Sequence, residues 1–416
     1  MVFNEIAKIS AENMYLCAEI SSVRRMTNQK TLDFIRQHAD EDVRQLALRG
    51  AKDPEIDLAF ALDQIAGRQK ARTKLPSWAA LDGIVYPPHL SMEQCSSEQT
   101  ARYKAKIAGE GAFFADLTAG FGVDVAFISQ GFRQAVHIEQ QQQLCEISSK
   151  NYRLLGLNHV QVVCGDGVAY LHQMSHVDLL YIDPARRDEH GGRTYGLADC
   201  TPNVLEIIDE MLEKADRVMI KLSPMLDWRK AVSDVGHVTE VHIVSVDNEC
   251  KELLLMASKA ESPLRVICVN NEDVFEYIPA ESDYGIAQSE WHQDTIPQFL
   301  YEPNASIMKA GCFDEVAARF QVTQLDKNSH LFVSDEDIPG FPGRQFVIER
   351  ITSMNKRDLK EAFKGCDKAN IAVRNFPMTV AELRKRLKLK DGGNVYIFAT
   401  TLARLGHQLL VCRKKS

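Results

Sequence analysis

The sequence predicts an α/β protein: a doubly wound, mainly parallel sheet, preceded by a helical region and followed by small α+β modules. Three observations predict it. From about Ala108, six apolar runs alternate with helical stretches: "AFFADLTA", "QAVHIEQ", "VQVVCGD", "VDLLYIDPA", "DRVMIKLSP" and "EVHIVSV". Strands apolar on both faces belong to parallel sheets covered by helices. A seventh run, "ELLLMAS", is separated from the sixth only by "DNECK", which suits an antiparallel hairpin. Finally, several runs end in acids, on the edge where doubly wound sheets hold ligands.

Upstream of the sheet the pattern is helical. "TLDFIRQHADEDVRQLALRG" places Leu32, Ile35, Val43, Leu46 and Leu48 near helical spacing, with Gly50 as a stop. In "DPEIDLAFALDQIAGRQKAR", Asp53 is the expected N-cap and Pro54 the first helical residue. "YPPHLSMEQ" breaks the pattern. Downstream, "PLRVICVN", "QFLYEPNASIMKAG", "HLFVSDE" and "RQFVIERI" predict short strands around a helix. "TVAELRKRLKLKDGG" carries a capping box, Thr379 with Glu382, and a stop at Gly392 and Gly393. Val380, Leu383 and Leu387 form its apolar stripe, leaving Arg384, Lys385, Arg386 and Lys388 to other faces. Strands "NVYIFATT" and "QLLVCRK" follow. The expected division is a helical region over 1–105, the sheet domain over 106–262, an α+β module over 263–350 and a basic module over 351–416.

The chain has 416 residues, 45% hydrophobic and 25% charged, enough for more than one packed core. No run reaches the length of a membrane span, and the start lacks the pattern of a signal peptide, so a cytoplasmic protein is expected. The ten cysteines include no closely spaced pair, and no metal site is expected. Charge is unevenly spread. From Ile351 onward fifteen Lys and Arg face five acids, a net of +10, which leaves −18 on the rest of a chain whose total is −8. A basic module on an acidic body suits a polyanionic partner.

The strand ends carry the chemistry. In "FADLTAGFGVDVAF", Gly120 and Gly122 permit a sharp turn and close backbone approach. Asp116, at the end of an apolar strand, requires a cationic or hydrogen-bonding partner. Val125 stands where the dinucleotide fingerprint has its last glycine, and an acid beside a pyrophosphate is repelled, so this turn suits a ligand with a positive centre. Glu139 in "HIEQ" is placed to accept ribose hydroxyls, with helix capping as the plainer alternative. Asp166 in "CGDG" is placed to accept an adenine amino hydrogen. Asp183 in "YIDPARR" is placed to orient an acceptor or take a proton.

These four stretches, in this order over roughly residues 108–260, resemble motifs I to IV of class I S-adenosylmethionine-dependent methyltransferases, with a Rossmann-like seven-stranded sheet. "MEQCSSEQTARYKA" resembles the cofactor-covering segment ahead of motif I in trimethylguanosine-synthase-like and related RNA methyltransferases. That likeness puts Ser96, Ser97, Glu98 and Lys104 near the methionine moiety. "FPMTVAELRKRLKLKDGGNVYIFATTL" resembles the THUMP-like domain that ends a bacterial methyltransferase family with a ferredoxin-like middle segment. The resemblance implies S-adenosylmethionine as cofactor, held by Ser97, Asp116, Thr118, Gly120, Gly122, Glu139, Asp166 and Asp183.

Motif IV departs from the pattern of amino-group methyltransferases of nucleic acids, which read [DNS]-P-P-[YFW]. Here Ala185 and Arg186 replace the second proline and the aromatic. Asp183 and Arg186 are the expected catalytic residues, since an Arg plane can stack on a base or pair with phosphate. Arg186, Arg187 and Tyr195, with Arg384, Lys385, Arg386 and Lys388, are the expected substrate contacts, and RNA the expected partner. Two alternatives stay open: methylation of a protein or small molecule, and a cofactor-binding, RNA-associated protein without turnover. The sequence leaves the target nucleotide, the methylated atom and the oligomeric state unspecified.

Overall fold

The computed structural model describes residues 28–186, 196–279, 296–402 and 405–415. The chain divides into two compact units, the first comprising Met1–Leu222, Arg229–Val238 and Leu255–Glu261, the second Ser223–Trp228, Thr239–Leu254 and Ser262–Ser416.

The first unit opens with helices α1 (Gln29–Gln37), α2 (Val43–Arg49), α3 (Leu58–Lys74), α4 (Pro76–Ala79), α5 (His89–Gln94) and α6 (Glu98–Ala108). The periodic stretch before Gly50 resolves into two helices because Asp42 caps α2 afresh, accepting from Gln45 N at 2.9 Å. Gly50, at φ 72°, ends it. Leu46 is fully buried, whereas Leu48 is 89% exposed. Asp53 does not open α3 as expected. Asp57 does, accepting from Phe60 N at 3.0 Å, while Asp53 accepts from Glu55 N at 2.9 Å and pairs with Lys30. Two capping residues stand four apart, and the later one precedes the apolar periodicity.

The "VYPP" segment is extended and read by two buried amides as a neighbouring strand would read it. Asn151 Oδ1 accepts from Val85 N at 2.9 Å and its Nδ2 donates to Val85 O at 2.8 Å. Gln64 Nε2 donates to Tyr86 O and Gln64 Oε1 accepts from Tyr86 N, both at 2.8 Å. Amide side chains can satisfy both backbone groups of one residue, which is why this buried stretch needs no ladder partner.

Strands and helices then alternate: β1 (Gly111–Asp116), α7 (Val123–Ile128), β2 (Phe132–Glu139), α8 (Gln142–Leu154), β3 (Val160–Cys164), α9 (Gly167–Gln173), β4 (Val177–Ile182), β5 (Ala185–Arg186), β6 (Cys200–Thr201), α10 (Val204–Lys214) and β7 (Ala215–Leu222). Five of these strands lie in the order β7-β4-β1-β2-β3, all parallel. The order reverses between β1 and β4, the switch point at which such sheets bind ligands. Phe114, Leu179, Tyr181 and Met219 pack with Trp78 and Phe121 in one buried cluster. β5 and β6 form a short antiparallel pair, Ala185 opposite Thr201 and Arg186 opposite Cys200.

Helix α11 (Trp228–Val235) belongs to the first unit except for Trp228. The second unit carries most of strands β8 (Val238–Val246) and β9 (Glu249–Ala257), and all of β10 (Arg265–Asn270) and β11 (Asp273–Tyr277), in the order β11-β10-β8-β9. β10 runs parallel to β8 and β11 antiparallel to β10, so the strand predicted in "PLRVICVN" joins this sheet rather than the α+β module, and β11 is a strand the sequence did not predict. Trp228 is core: 3% exposed, its indole N–H donates to Ala310 O at 3.2 Å.

The remainder comprises β12 (Phe299–Pro303), α12 (Ala305–Ala310), α13 (Phe313–Phe320), β13 (Thr323–Gln324), β14 (Phe332–Ser334), β15 (Gly343–Ser353), α14 (Lys356–Ala362), β16 (Asn370–Val373), α15 (Val380–Leu387), β17 (Val395–Leu402) and β18 (Gly406–Lys414). Its strands form one seven-stranded sheet, β13-β14-β12-β15-β18-β17-β16. Successive residues of β17 serve opposite faces, as strand geometry requires. Phe398 joins Leu300, Phe346 and Leu410, whereas Ile397 and Ala399 join Leu383 and Leu389. The capping box of α15 forms as expected. The helix stops at Leu387, before the expected glycines, because Lys388 turns left-handed at φ 58° and drops Leu389 into the core at 5% exposure.

Candidate active site

Four acids stand at or just beyond the carboxyl ends of β1, β2, β3 and β4. Asp116 ends β1 at 1% exposure and accepts from Thr118 N at 2.9 Å. Burial first, then the carboxylates of Asp124, Asp183 and Glu139, hold its carboxyl well above the ordinary range, against that N–H bond. Asp116 has no ion-pair partner among the described residues. Thr118 ties motif I to motif IV, its Oγ1 accepting from Asp183 N at 2.7 Å.

The two glycines of the turn do different things. Gly120, at φ 55°, faces open space: an added Cβ would meet nothing nearer than Thr118 O at 4.0 Å. Gly122, at φ 81°, faces inward, where a Cβ would overlap the Tyr152 hydroxyl and lie 3.1 Å from His137 Nδ1. Tyr152 donates to Gly122 O at 3.2 Å and lies 2.7 Å from His137 Nδ1. Gly122 is therefore built for packing inside the protein, and the open approach is over Gly120.

Glu139 organises the turn. Its Oε2 accepts from Gly120 N at 2.9 Å and its Oε1 from Gln141 N at 2.8 Å. Each oxygen keeps a lone pair for a hydroxyl. Asp166 caps α9, accepting from Ala169 N at 2.8 Å, and its other oxygen accepts from Gln140 Nε2 at 2.7 Å. Gly167 follows because any Cβ there would collide with Leu117 O, bringing α9 against the motif I turn.

Asp183 does not stand alone. Lys221, in β7, donates from Nζ to Asp183 Oδ2, with side-chain exposures of 15% for the lysine and 35% for the acid. Sequence reasoning missed Lys221: a single cation in "VMIKLSP" reads as a solvated strand end. Its neighbours along the edge are acids, and that contrast was the available signal.

A second, buried network lies alongside. Lys104 is fully buried and Nζ lies 3.1 Å from Asp124 Oδ1 and 2.9 Å from Ser96 Oγ. Ser96 Oγ and Tyr181 Oη donate to Asp124 Oδ2 at 2.8 and 2.9 Å. Burial would push Asp124 up, but the Lys104 and Lys221 cations outweigh it and hold the carboxyl below its ordinary range. Ser97 caps α6, accepting from Thr100 N at 3.2 Å, and Glu98 accepts from Ser77 N at 2.8 Å and pairs with Arg102. The side chain of Arg186, and all of Arg187 and Tyr195, lie outside the described residues.

In the basic module, two of the four expected cations turn back on their own fold. Arg384 pairs with Asp391 at 2.6 Å and donates to Ala369 O at 3.1 Å, and Arg386 donates to Met354 O at 3.0 Å. Lys385 and Lys388 have no ion-pair partner among the described residues. No group of three or more His, Cys, Asp or Glu fit to hold a metal occurs among the described residues, and no described helix is long and apolar enough to cross a membrane.

A parallel sheet with a β1/β4 switch point and acids along its carboxyl edge defines the Rossmann-like class of the methyltransferases. Family profiles match three segments: protein-L-isoaspartate(D-aspartate) O-methyltransferase over 109–188, a ferredoxin-like domain over 299–342 and a THUMP domain-like module over 343–414. A provisionally assigned methyltransferase from Porphyromonas gingivalis W83 is 32% identical, with a TM-score of 0.82 over 92% of this chain and 97% of that one. The chain belongs to that protein's family, class I methyltransferases of bacteria with a C-terminal THUMP-like domain. An rRNA methylase from Streptococcus thermophilus is 16% identical, with a TM-score of 0.30 over 39% of this chain and 95% of that one. TrmK of M. capricolum, solved with S-adenosyl-homocysteine, is 15% identical, with a TM-score of 0.30 over 39% of this chain and 71% of that one. Likeness at that level leaves this chain's substrate open. No match was found among curated proteins.

Proposed function

We propose that this chain transfers a methyl group from S-adenosylmethionine to RNA. The observation that carries the reading is the carboxyl edge itself: acids at four adjacent strand ends around an open glycine turn, with Asp116 held protonation-prone by burial and by the neighbouring carboxylates. The residues fit this cofactor, because Asp116, Glu139 and Asp166 have no ion-pair partner among the described residues, and a sulfonium and an ammonium supply positive charge beside them. When bound, the cofactor supplies a methyl group already activated on sulfur.

On this reading Glu139 takes the ribose hydroxyls with its remaining lone pairs, Asp166 the adenine amino group, and Asp116 and Thr118 the methionine end. Gly120 keeps the approach open. Asp183 orients the acceptor, and the chain's contribution to rate is chiefly positioning. The basic module supports RNA as substrate, with Lys385 and Lys388 as phosphate contacts and Arg384 and Arg386 bracing the helix that presents them. The isoaspartate methyltransferase profile favours protein as the second reading. Incubating the protein with labelled S-adenosylmethionine and either total RNA or total protein decides between them. Label in RNA supports the proposal, label in protein alone supports the second reading, and label in neither contradicts both.

A further inference from the structure

We infer that Lys221 works with Asp183 on the acceptor, and that the acceptor atom is a hydroxyl oxygen rather than an exocyclic amine. The inference rests on the methyltransferase reading above and narrows it. Lys221 Nζ donates to Asp183 Oδ2, so the acid presents one oxygen to an acceptor and shares the other with a cation. Thr118 Oγ1 fixes the backbone of Asp183, accepting from its N–H at 2.7 Å. Lys221 is mostly buried and Asp183 half-buried, so opposite charges so placed are only partly screened by water.

The sign of the developing charge decides which acceptor this suits. An amine becomes positive as it takes a methyl group, and an ammonium within hydrogen-bond reach of its orienting acid opposes that charge. A hydroxyl oxygen becomes negative as its proton leaves, and the same ammonium stabilises it. Motif IV also lacks the aromatic residue on which a base would stack: Ala185 and Arg186 stand after Pro184. In balance, the O–H proton passes to the free oxygen of Asp183 as the oxygen–carbon bond forms. The electron pair of the broken carbon–sulfur bond stays on sulfur, and one proton is then released to solvent.

The test uses the full chain with Lys221→Met, which keeps length and removes charge, and Lys221→Arg, which keeps charge. Single-turnover transfer by Lys221→Met is expected to fall about 10²-fold or more, with partial recovery in Lys221→Arg. Binding of S-adenosylhomocysteine, measured by calorimetry, should change less than about threefold, and both variants should remain folded by circular dichroism. A cofactor-affinity loss beyond tenfold, or parental turnover in Lys221→Met, overturns the role. Nuclease digestion and mass spectrometry locate the methyl group. A methyl group on a ribose hydroxyl upholds the inference, and one on a base nitrogen overturns it while leaving RNA methylation standing. Label in protein removes the RNA reading alone, since oxygen or nitrogen attachment there still decides this one. Absence of turnover on any acceptor overturns both.

Discussion

Gly122→Ala should destabilise the protein through one identifiable collision. At φ 81° an L side chain costs roughly 1–2 kcal/mol. The new methyl group also displaces the Tyr152 hydroxyl, whose bonds to His137 at 2.7 Å and Gly122 O at 3.2 Å each contribute about 0.5–1.5 kcal/mol. Together that is roughly 2–5 kcal/mol, or a melting shift of roughly 4–20 °C for a domain of this size. Gly120→Ala, whose methyl group meets open space, should cost only the backbone part. Tyr152→Phe removes the hydroxyl that the new methyl group would strike, so the Gly122→Ala penalty should shrink toward the backbone part in that background. Thermal unfolding of the parent, the two single variants at 122 and 152 and their combination gives the coupling directly. If Gly122→Ala melts within about 2 °C of the parent, or costs the same with and without the hydroxyl, the packing role of Gly122 is wrong.

Glu139→Ala should weaken S-adenosylhomocysteine binding by about 1.5–3 kcal/mol, ten- to hundredfold, because the acid braces the turn and, on the proposed reading, takes the ribose hydroxyls. Unchanged calorimetric affinity would remove it from the site. Neutralising Lys385 and Lys388 together should lower the slope of log K against log salt for RNA by about 1.4–1.8, whereas changing Arg384 or Arg386 should mainly lower the melting temperature. An unaltered slope would make the lysines a solvated face. Burial holds His137 neutral down to about 3, well below its value when unfolded. The unfolded chain therefore binds the extra proton first, and stability present above about pH 6.5 falls by up to about 1.4 kcal/mol per unit on acidification toward pH 3. His137→Gln should flatten that slope in denaturant titrations, and an identical slope would place the acid sensitivity elsewhere.

The sheet was legible because its strands are apolar on both faces and end in acids. Asp116, Glu139, Asp166 and Asp183 could be placed on one edge from alternation alone. Roles were less legible than positions. Gly120 and Gly122 look alike in sequence, and only the neighbours, open space for one and Tyr152 for the other, separate them. Lys221 escaped notice because the partner that gives it meaning is 38 residues away, just past the end of another strand. Asp124 reads as an ordinary acid in a helix's first turn until Lys104 is seen buried against it. The basic helix carries the same limit: composition cannot say that Arg384 and Arg386 fold back on Asp391 and Met354 while Lys385 and Lys388 do not.

The most direct test compares modified nucleosides, by mass spectrometry, in RNA from cells with and without the gene. RNA methylation by this chain predicts one methylated nucleoside lost on deletion, restored by the parental gene and not restored by Asp183→Asn. Identical nucleoside profiles in the two strains, with labelled methyl groups passing only to protein, would contradict it.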